Sequence, residues 1–224
     1  MNEFSTKDYF DNQIKEIWND EKFKGIDIVK RGYILQDKII KNSLLFVGIN
    51  PSFDEDGGIP ENIGNYYNLN QTEDNYKYFK KFQEISKDVY LEWTHTDLLF
   101  VRETNQKNVE NIILDNKNSG TEFIYKQLLI SKQIIEMCEP KIIVVNNTLA
   151  RRLLGKDKTK NCNEWMNFDF NFDNEIGTYR IIKNDKLENT PVFFTSMLTG
   201  QRALDLGSYE RLIWHIKFVL KKLI

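Results

Sequence analysis

Four short, wholly apolar runs punctuate an otherwise polar chain: Leu44–Val47, Leu98–Val101, Ile142–Val145 and Val192–Phe194. Uninterrupted apolar runs of this length are expected of strands covered on both faces, as in a parallel sheet. Helical periodicity separates them. Tyr76–Val89 places Tyr78, Phe79, Phe82 and Ile85 on one face, and Thr121–Cys138 repeats the pattern behind Ser119 or Thr121 and ahead of Pro140. Thr148–Leu154 ends at Gly155, which suits a left-handed cap, and Thr6–Asn19 starts behind Ser5. The last helix is predicted over Tyr209–Leu223, with Leu212, Ile213, Ile216, Val219, Leu220 and Leu223 turned inward. Thr178–Lys183 reads as an extra strand or hairpin, and Lys156–Asn174 as a long polar loop. The alternation predicts a three-layer α/β/α sandwich around a central, mostly parallel four-stranded sheet. No low-complexity linker divides the 224 residues, so one domain over 1–224 is expected, with 1–40 as a helical extension packed on it.

Composition narrows the chemistry. No apolar run approaches the roughly 20 residues of a membrane span, and the start, MNEFSTKDYFDNQ, lacks the pattern of a secretion signal. The expectation is a cytoplasmic monomer without a membrane partner. Two cysteines, Cys138 and Cys162, and two histidines, His95 and His215, supply neither a disulfide framework nor a well-stocked metal site. A net charge of −2 argues against bulk electrostatic coating of nucleic acid, while leaving room for one basic face. Phosphate-cradling glycine loops and the G-x-S-x-G elbow are missing. Asp54-Glu55-Asp56-Gly57-Gly58 departs from a calcium loop, because Asn65 stands where the closing glutamate belongs.

Ligands of open parallel sheets bind beyond the carboxyl ends of the strands. The runs are followed there by Gly48-Ile49-Asn50-Pro51-Ser52, by Arg102-Glu103-Thr104-Asn105-Gln106-Lys107, by Asn146-Asn147-Thr148 with Arg151-Arg152, and by Thr195-Ser196-Met197-Leu198-Thr199-Gly200-Gln201-Arg202. Amides, hydroxyls and guanidinium groups dominate, and on this reading no histidine stands at a strand end: His95 falls before its strand and His215 within the last helix.

Gly48-Ile49-Asn50-Pro51 after the first run resembles motif 1 of the uracil-DNA glycosylase superfamily, most closely its mismatch-specific and single-strand-selective branches. Asp97 to Lys107 is similar to the second-strand segment of the thermostable bacterial branch. Asn146-Asn147-Thr148-Leu149-Ala150-Arg151-Arg152 looks like the superfamily's strand-then-helix segment, and Pro191 to Asp205 stands where the family places motif 2. The similarity spans residues 40–220 in order and spacing.

The resemblance implies a base rotated out of DNA into a strand-end pocket, with its N-glycosidic bond broken through an oxocarbenium-like sugar. Asn50 would position the attacking water, Pro51 would hold the turn, and Gly48, Ile49 and Ser52 would line the pocket. Phe53 would stack on the base, with Tyr66 or Tyr67 behind it. Two departures stand out. Asp97 replaces a base-reading asparagine; as an ionised acceptor it suits the amine of a cytosine-type base, whereas protonated it mimics the amide, and a loop cap is the alternative. Ser196, or Thr195, stands where a histidine stabilises the departing base. Leu198 is then a candidate wedge, and Arg102, Lys107, Arg151, Arg152, Gln201 and Arg202 are candidate DNA contacts. Surface ion pairing is the alternative for the arginines. The family's iron–sulfur branches use four cysteines, so no cluster or other cofactor is expected here. The readings left open are an active glycosylase for uracil or a modified pyrimidine, in repair or in defence against phage DNA; a catalytically silent nucleic-acid-binding relative; and a small-metabolite hydrolase or transferase with Ser196 as nucleophile.

Overall fold

A computed structural model describes residues 2–53, 58, 62–69, 77–115, 119–156, 165–200 and 203–223. The N-terminal segment is more than a helical extension. Strand β1 (Glu3–Ser5) leads into helix α1 (Thr6–Asn19), whose start is fixed where the Asp8 backbone N–H donates to Ser5 Oγ at 3.1 Å. Strands β2 (Tyr33–Gln36) and β3 (Lys38–Ile40) follow, β3 pairing antiparallel with β1. Phe10, Ile14, Trp18, Phe23, Tyr33, Leu35 and Ile39 join the same core cluster as the central sheet.

The centre of the molecule is β4 (Leu44–Gly48), buried at every position. Strand β5 (Gly64–Tyr67) pairs with β2, helix α2 (Lys77–Val89) crosses over, and β6 (Trp93–Asp97) returns parallel to β4. Helices α3 (Gln106–Leu114) and α4 (Gly120–Cys138) lead to β7 (Ile142–Val145), and α5 (Thr148–Leu154) follows. Strands β8 (Asp169–Asp173), β9 (Thr178–Ile182) and β10 (Pro191–Phe194) precede the last helix, α6 (Leu206–Lys222). The central sheet has six strands in the order β6-β4-β7-β10-β9-β8, not the four expected. The first four are parallel and the last two antiparallel. Apolar side chains of α2 and α6 cover one face and those of α1, α4 and α5 the other.

Two sequence expectations need correction. The segment read as a loop over Lys156–Asn174 contains β8, an edge strand whose residues are half-buried or exposed, so no continuous apolar run marks it. Residues 157–164, Cys162 among them, lie outside the described residues. The second correction matters more, because the run Leu98–Val101 is not the second strand. That strand is Trp93-Thr94-His95-Thr96-Asp97, in register with Leu44–Gly48. Leu98–Val101 continues past the sheet with no accessible surface, and its backbone groups are satisfied elsewhere. Leu98 and Leu99 N–H donate to the Gly48 and Ile49 carbonyls at 3.3 and 2.9 Å. Phe100 and Val101 N–H donate to Gln127 Oε1 of α4 at 2.8 and 3.2 Å, and Ser131 Oγ donates to the Leu98 carbonyl at 2.7 Å. An apolar run reports burial; the pairing of its N–H and C=O groups decides whether it is a strand.

The loop after β4 leads to β6 on one side and the loop after β7 leads toward β10 on the other. The crevice between their carboxyl ends is therefore the topological switch point, where open sheets bind ligands.

Candidate functional site

Asn50 stands two residues beyond β4, half-buried, at that switch point. Its side chain is held from one side only. Nδ2 donates to the Glu103 carbonyl at 2.6 Å and to the Pro51 carbonyl at 2.8 Å. Two carbonyl oxygens can be met only by the amide nitrogen, so the orientation is fixed, and Oδ1 accepts no hydrogen bond from the described residues. The receiving segment is itself braced, since Glu103 N–H donates to the Pro51 carbonyl at 2.9 Å. The Glu103 carboxylate accepts from Asn105 N–H at 2.7 Å, Asn108 Nδ2 at 3.0 Å and Arg31 Nη1 at 2.7 Å. Burial works to raise its pKa, but these donors together outweigh burial and hold it below the ordinary glutamate range. Phe53 is tied to Thr104 by two bonds, its N–H donating to Thr104 Oγ1 at 3.0 Å and that hydroxyl donating to the Phe53 carbonyl at 2.7 Å. The guanidinium groups of Arg31 and Arg102 lie over the Phe53 ring, 4.6 and 5.2 Å from its centre. Arg31 was invisible to strand-end reasoning, because it reaches the site from the turn before β2. Glu103 lay within the strand-end segment, but nothing in its neighbours announced a buried ion pair.

Beside Asn50, Asp97 ends β6 directly opposite Gly48 in the ladder. A β-carbon at position 48 would collide with Asp97 Oδ1 and come within 3.1 Å of His95 Nε2, so any side chain there would push the Asp97 carboxyl aside. His95 lies inside β6 and not before it, on the same sheet face as Asp97, with Nε2 3.7 Å from Asp97 Oδ1. The strand-end chemistry therefore includes a histidine and a carboxyl group, which the misplaced second strand had concealed. The imidazole is 1% exposed, its Nδ1 is 3.0 Å from the Tyr67 hydroxyl, and its ring stacks on Phe82. Tyr78 of α2 meets the same ring edge-on and accepts a long bond, 3.5 Å, from Asn146 Nδ2 after β7. Burial pushes the Asp97 carboxyl up to about 7 and the His95 imidazole down to about 3. It also lifts the Tyr67 and Tyr78 hydroxyls well above their ordinary range, with the Asp97 charge adding to the effect.

The alternation of β5 separates the two tyrosine candidates. Tyr67 faces His95, whereas Tyr66 donates to Asp11 Oδ1 of α1 at 2.9 Å. Ile49 packs against the core and Ser52 is exposed. Ser196 is exposed two residues past β10. Neither histidine serves it: Nδ1 of His95 meets Tyr67, and Nε2 of His215 lies 2.6 Å from the Ile176 carbonyl. Leu198 is 4% exposed and packs into the core with the side chains of α2 and α6, so it does not project as a wedge; Met197 beside it is 37% exposed. Lys107 is exposed on α3, and Arg151 and Arg152 are half-buried on α5. Two strand-end amides are helix caps, Asn105 for α3 and Asn147 for α5. Gln201, Arg202 and Asp54-Glu55-Asp56-Gly57 lie outside the described residues.

Among the described residues no three His, Cys, Asp or Glu side chains are grouped to hold a metal ion, and no helix is long and apolar enough to cross a membrane. A polar hollow lined by Asn12, Lys15, Glu16, Asn19, Asp20 and Lys126 includes none of the strand-end residues. What the carboxyl ends of β4 and β6 offer, next to the switch point, is an oriented amide oxygen, a carboxyl group able to exchange a proton near neutrality, and a neutral imidazole, with guanidinium groups close by. No protein-family model and no curated protein matches the chain.

Proposed function

We propose that the chain is a three-layer α/β/α DNA glycosylase, a cytoplasmic monomer that hydrolyses the N-glycosidic bond of a pyrimidine rotated into the crevice between β4 and β7. One observation carries this reading: Asn50 is clamped through its nitrogen by the Glu103 and Pro51 carbonyls, which leaves its oxygen to a water. An amide cannot take the proton of that water as a carboxylate would. Catalysis then rests on placing the water against a sugar carbon that develops oxocarbenium character. The braces from Glu103 to Arg31, Asn105 and Asn108 supply the rigidity such positioning demands. The departing base carries negative charge, and no imidazole accompanies Ser196 to receive it. The Ser196 hydroxyl is the donor that strand end offers to the departing base. Arg31 and Arg102, gathered over Phe53, would meet the flanking phosphates. The motif 1 resemblance adds an analogy in the same direction.

Single- and double-stranded oligonucleotides carrying uracil, hydroxymethylcytosine or glucosylated cytosine test the proposal by alkaline strand scission at abasic sites. Excision of at least one base, lost in Asn50→Ala, is expected. The exposed, unaccompanied Ser196 favours a second reading, a catalytically silent binder. Steeply salt-dependent DNA binding without abasic product at high protein concentration would establish that reading instead.

A further inference from the structure

Of the buried side-chain atoms without a hydrogen-bond partner, one faces the carboxyl group of Asp97. His95 is 1% exposed, and its Nε2 has no hydrogen-bond partner. The Tyr67 hydroxyl, whose only bond among the described residues is to His95 Nδ1, keeps its proton because burial lifts its pKa far up. When that hydroxyl donates to Nδ1, the imidazole proton sits on Nε2, facing Asp97 Oδ1 at 3.7 Å. The Asp97 carboxyl receives no hydrogen bond from any described residue, and its side chain is 12% exposed. Across the ladder stands Gly48, with no side chain to cover it. A buried ring nitrogen and a nearly buried carboxyl left short of partners have both given up hydrogen bonds to water without replacement. Such a pair is understandable where a ligand completes it.

We propose that His95 and Asp97 form one reading head for an amino-bearing, cytosine-type ring, Asp97 accepting from the exocyclic amine while the His95 Nε2–H holds the other side of the carboxylate. The proposal rests on the glycosylase reading and names its substrate class. An imidazole N–H drawn in to bonding distance stabilises the carboxylate as an acceptor. An acceptor-only edge attracts an amine and repels the O4 carbonyl of uracil. Asp97 contacts the base; His95 is a positioning residue acting through it.

The test is fluorescence anisotropy with oligonucleotides bearing one hydrolysis-resistant 2′-fluoro cytidine or 2′-fluoro uridine, between pH 6 and 8.5. The wild type is expected to prefer the cytosine analogue by about tenfold, the size of one well-made edge contact. Asp97→Asn, which can donate to O4, is expected to reverse the order. His95→Gln, which retains a donor, should keep the preference. His95→Phe should weaken it several-fold and move its pH midpoint upward, a change that loss of packing alone does not give. The other titratable groups around this head, Tyr67, Tyr78 and Asp37, are unchanged in these variants. Equal affinity for the two analogues, binding of neither, or an Asp97→Asn protein with unaltered preference overturns the proposal. Cleavable counterparts in parallel separate the two readings: base-selective binding without abasic product sinks the catalytic reading alone, and excision indifferent to Asp97→Asn sinks this one alone.

Discussion

Asp97→Asn also makes the burial of this carboxyl measurable without any substrate. The substitution keeps the shape of the side chain and removes its charge. Burial moves the carboxyl from 3.8 to about 7 in the folded protein. Between those values the unfolded chain has released a proton that the native state still holds, so stability falls as pH rises through the window. Above about pH 7 both states are ionised and the loss is complete. At about 1.4 kcal/mol per tenfold change in proton affinity, the whole window amounts to about 4 kcal/mol. Asparagine does not titrate. The variant should therefore be scarcely more stable than wild type at pH 4 and about 4 kcal/mol more stable at pH 8. His95 works in the opposite sense, since burial holds its imidazole near 3 against an ordinary 6.5, and its contribution is lost as pH falls below 6.5. That term is common to both proteins and cancels in the difference. Urea denaturation of the two proteins at unit pH intervals reads it directly. A difference that stays constant with pH, or a wild type more stable than the variant at pH 8, would refute the assignment of Asp97 as a desolvated and poorly solvated acid.

Gln127→Ala should cost about 2–5 kcal/mol in urea denaturation, because it orphans the buried Phe100 and Val101 N–H groups together; unchanged stability would mean that the Leu98–Val101 segment is held otherwise. Gly48→Ala should displace Asp97 and abolish base selectivity in the anisotropy assay while the circular dichroism spectrum stays folded; intact selectivity would place the reading head elsewhere. Asn50→Asp sets a carboxylate against the Glu103 and Pro51 carbonyls, so it should lose activity as completely as Asn50→Ala and lower stability by about 1–3 kcal/mol; a variant as active as wild type, measured by abasic-site formation, would contradict the clamped-amide geometry. Arg102→Ala should weaken DNA binding and reduce the slope of affinity against salt by about one phosphate contact; an unchanged slope would leave Arg102 a packing partner of Phe53.

The apolar runs at Leu44, Ile142 and Val192 and the caps at Ser5 and Gly155 were readable in the chain, because a doubly covered strand and a helix end are local chemistry. So was the concentration of amides after those strands, Asn50 foremost. The chain by itself determined most of the buried segments and helix starts, but not helix α3 or the start of α6 at Leu206, three residues before the expected Tyr209. Only the tertiary structure decided what the buried segments are. Leu98–Val101 has the composition of a strand, yet Gln127 and Ser131, about 30 positions later, take up its backbone groups. Trp93–Asp97 has a single apolar residue and so no apolar run, yet it is a strand, because β4 supplies its ladder and Gln36 donates to Thr96 Oγ1 at 3.1 Å inside the core. That one displacement hid His95 from the site and, through the alternation of β5, left Tyr66 and Tyr67 unresolved. Periodicity reports which side chains leave water, but the partner of a buried N–H, and hence the register that brings His95, Asp97 and Gly48 together, is fixed by chain segments remote in sequence.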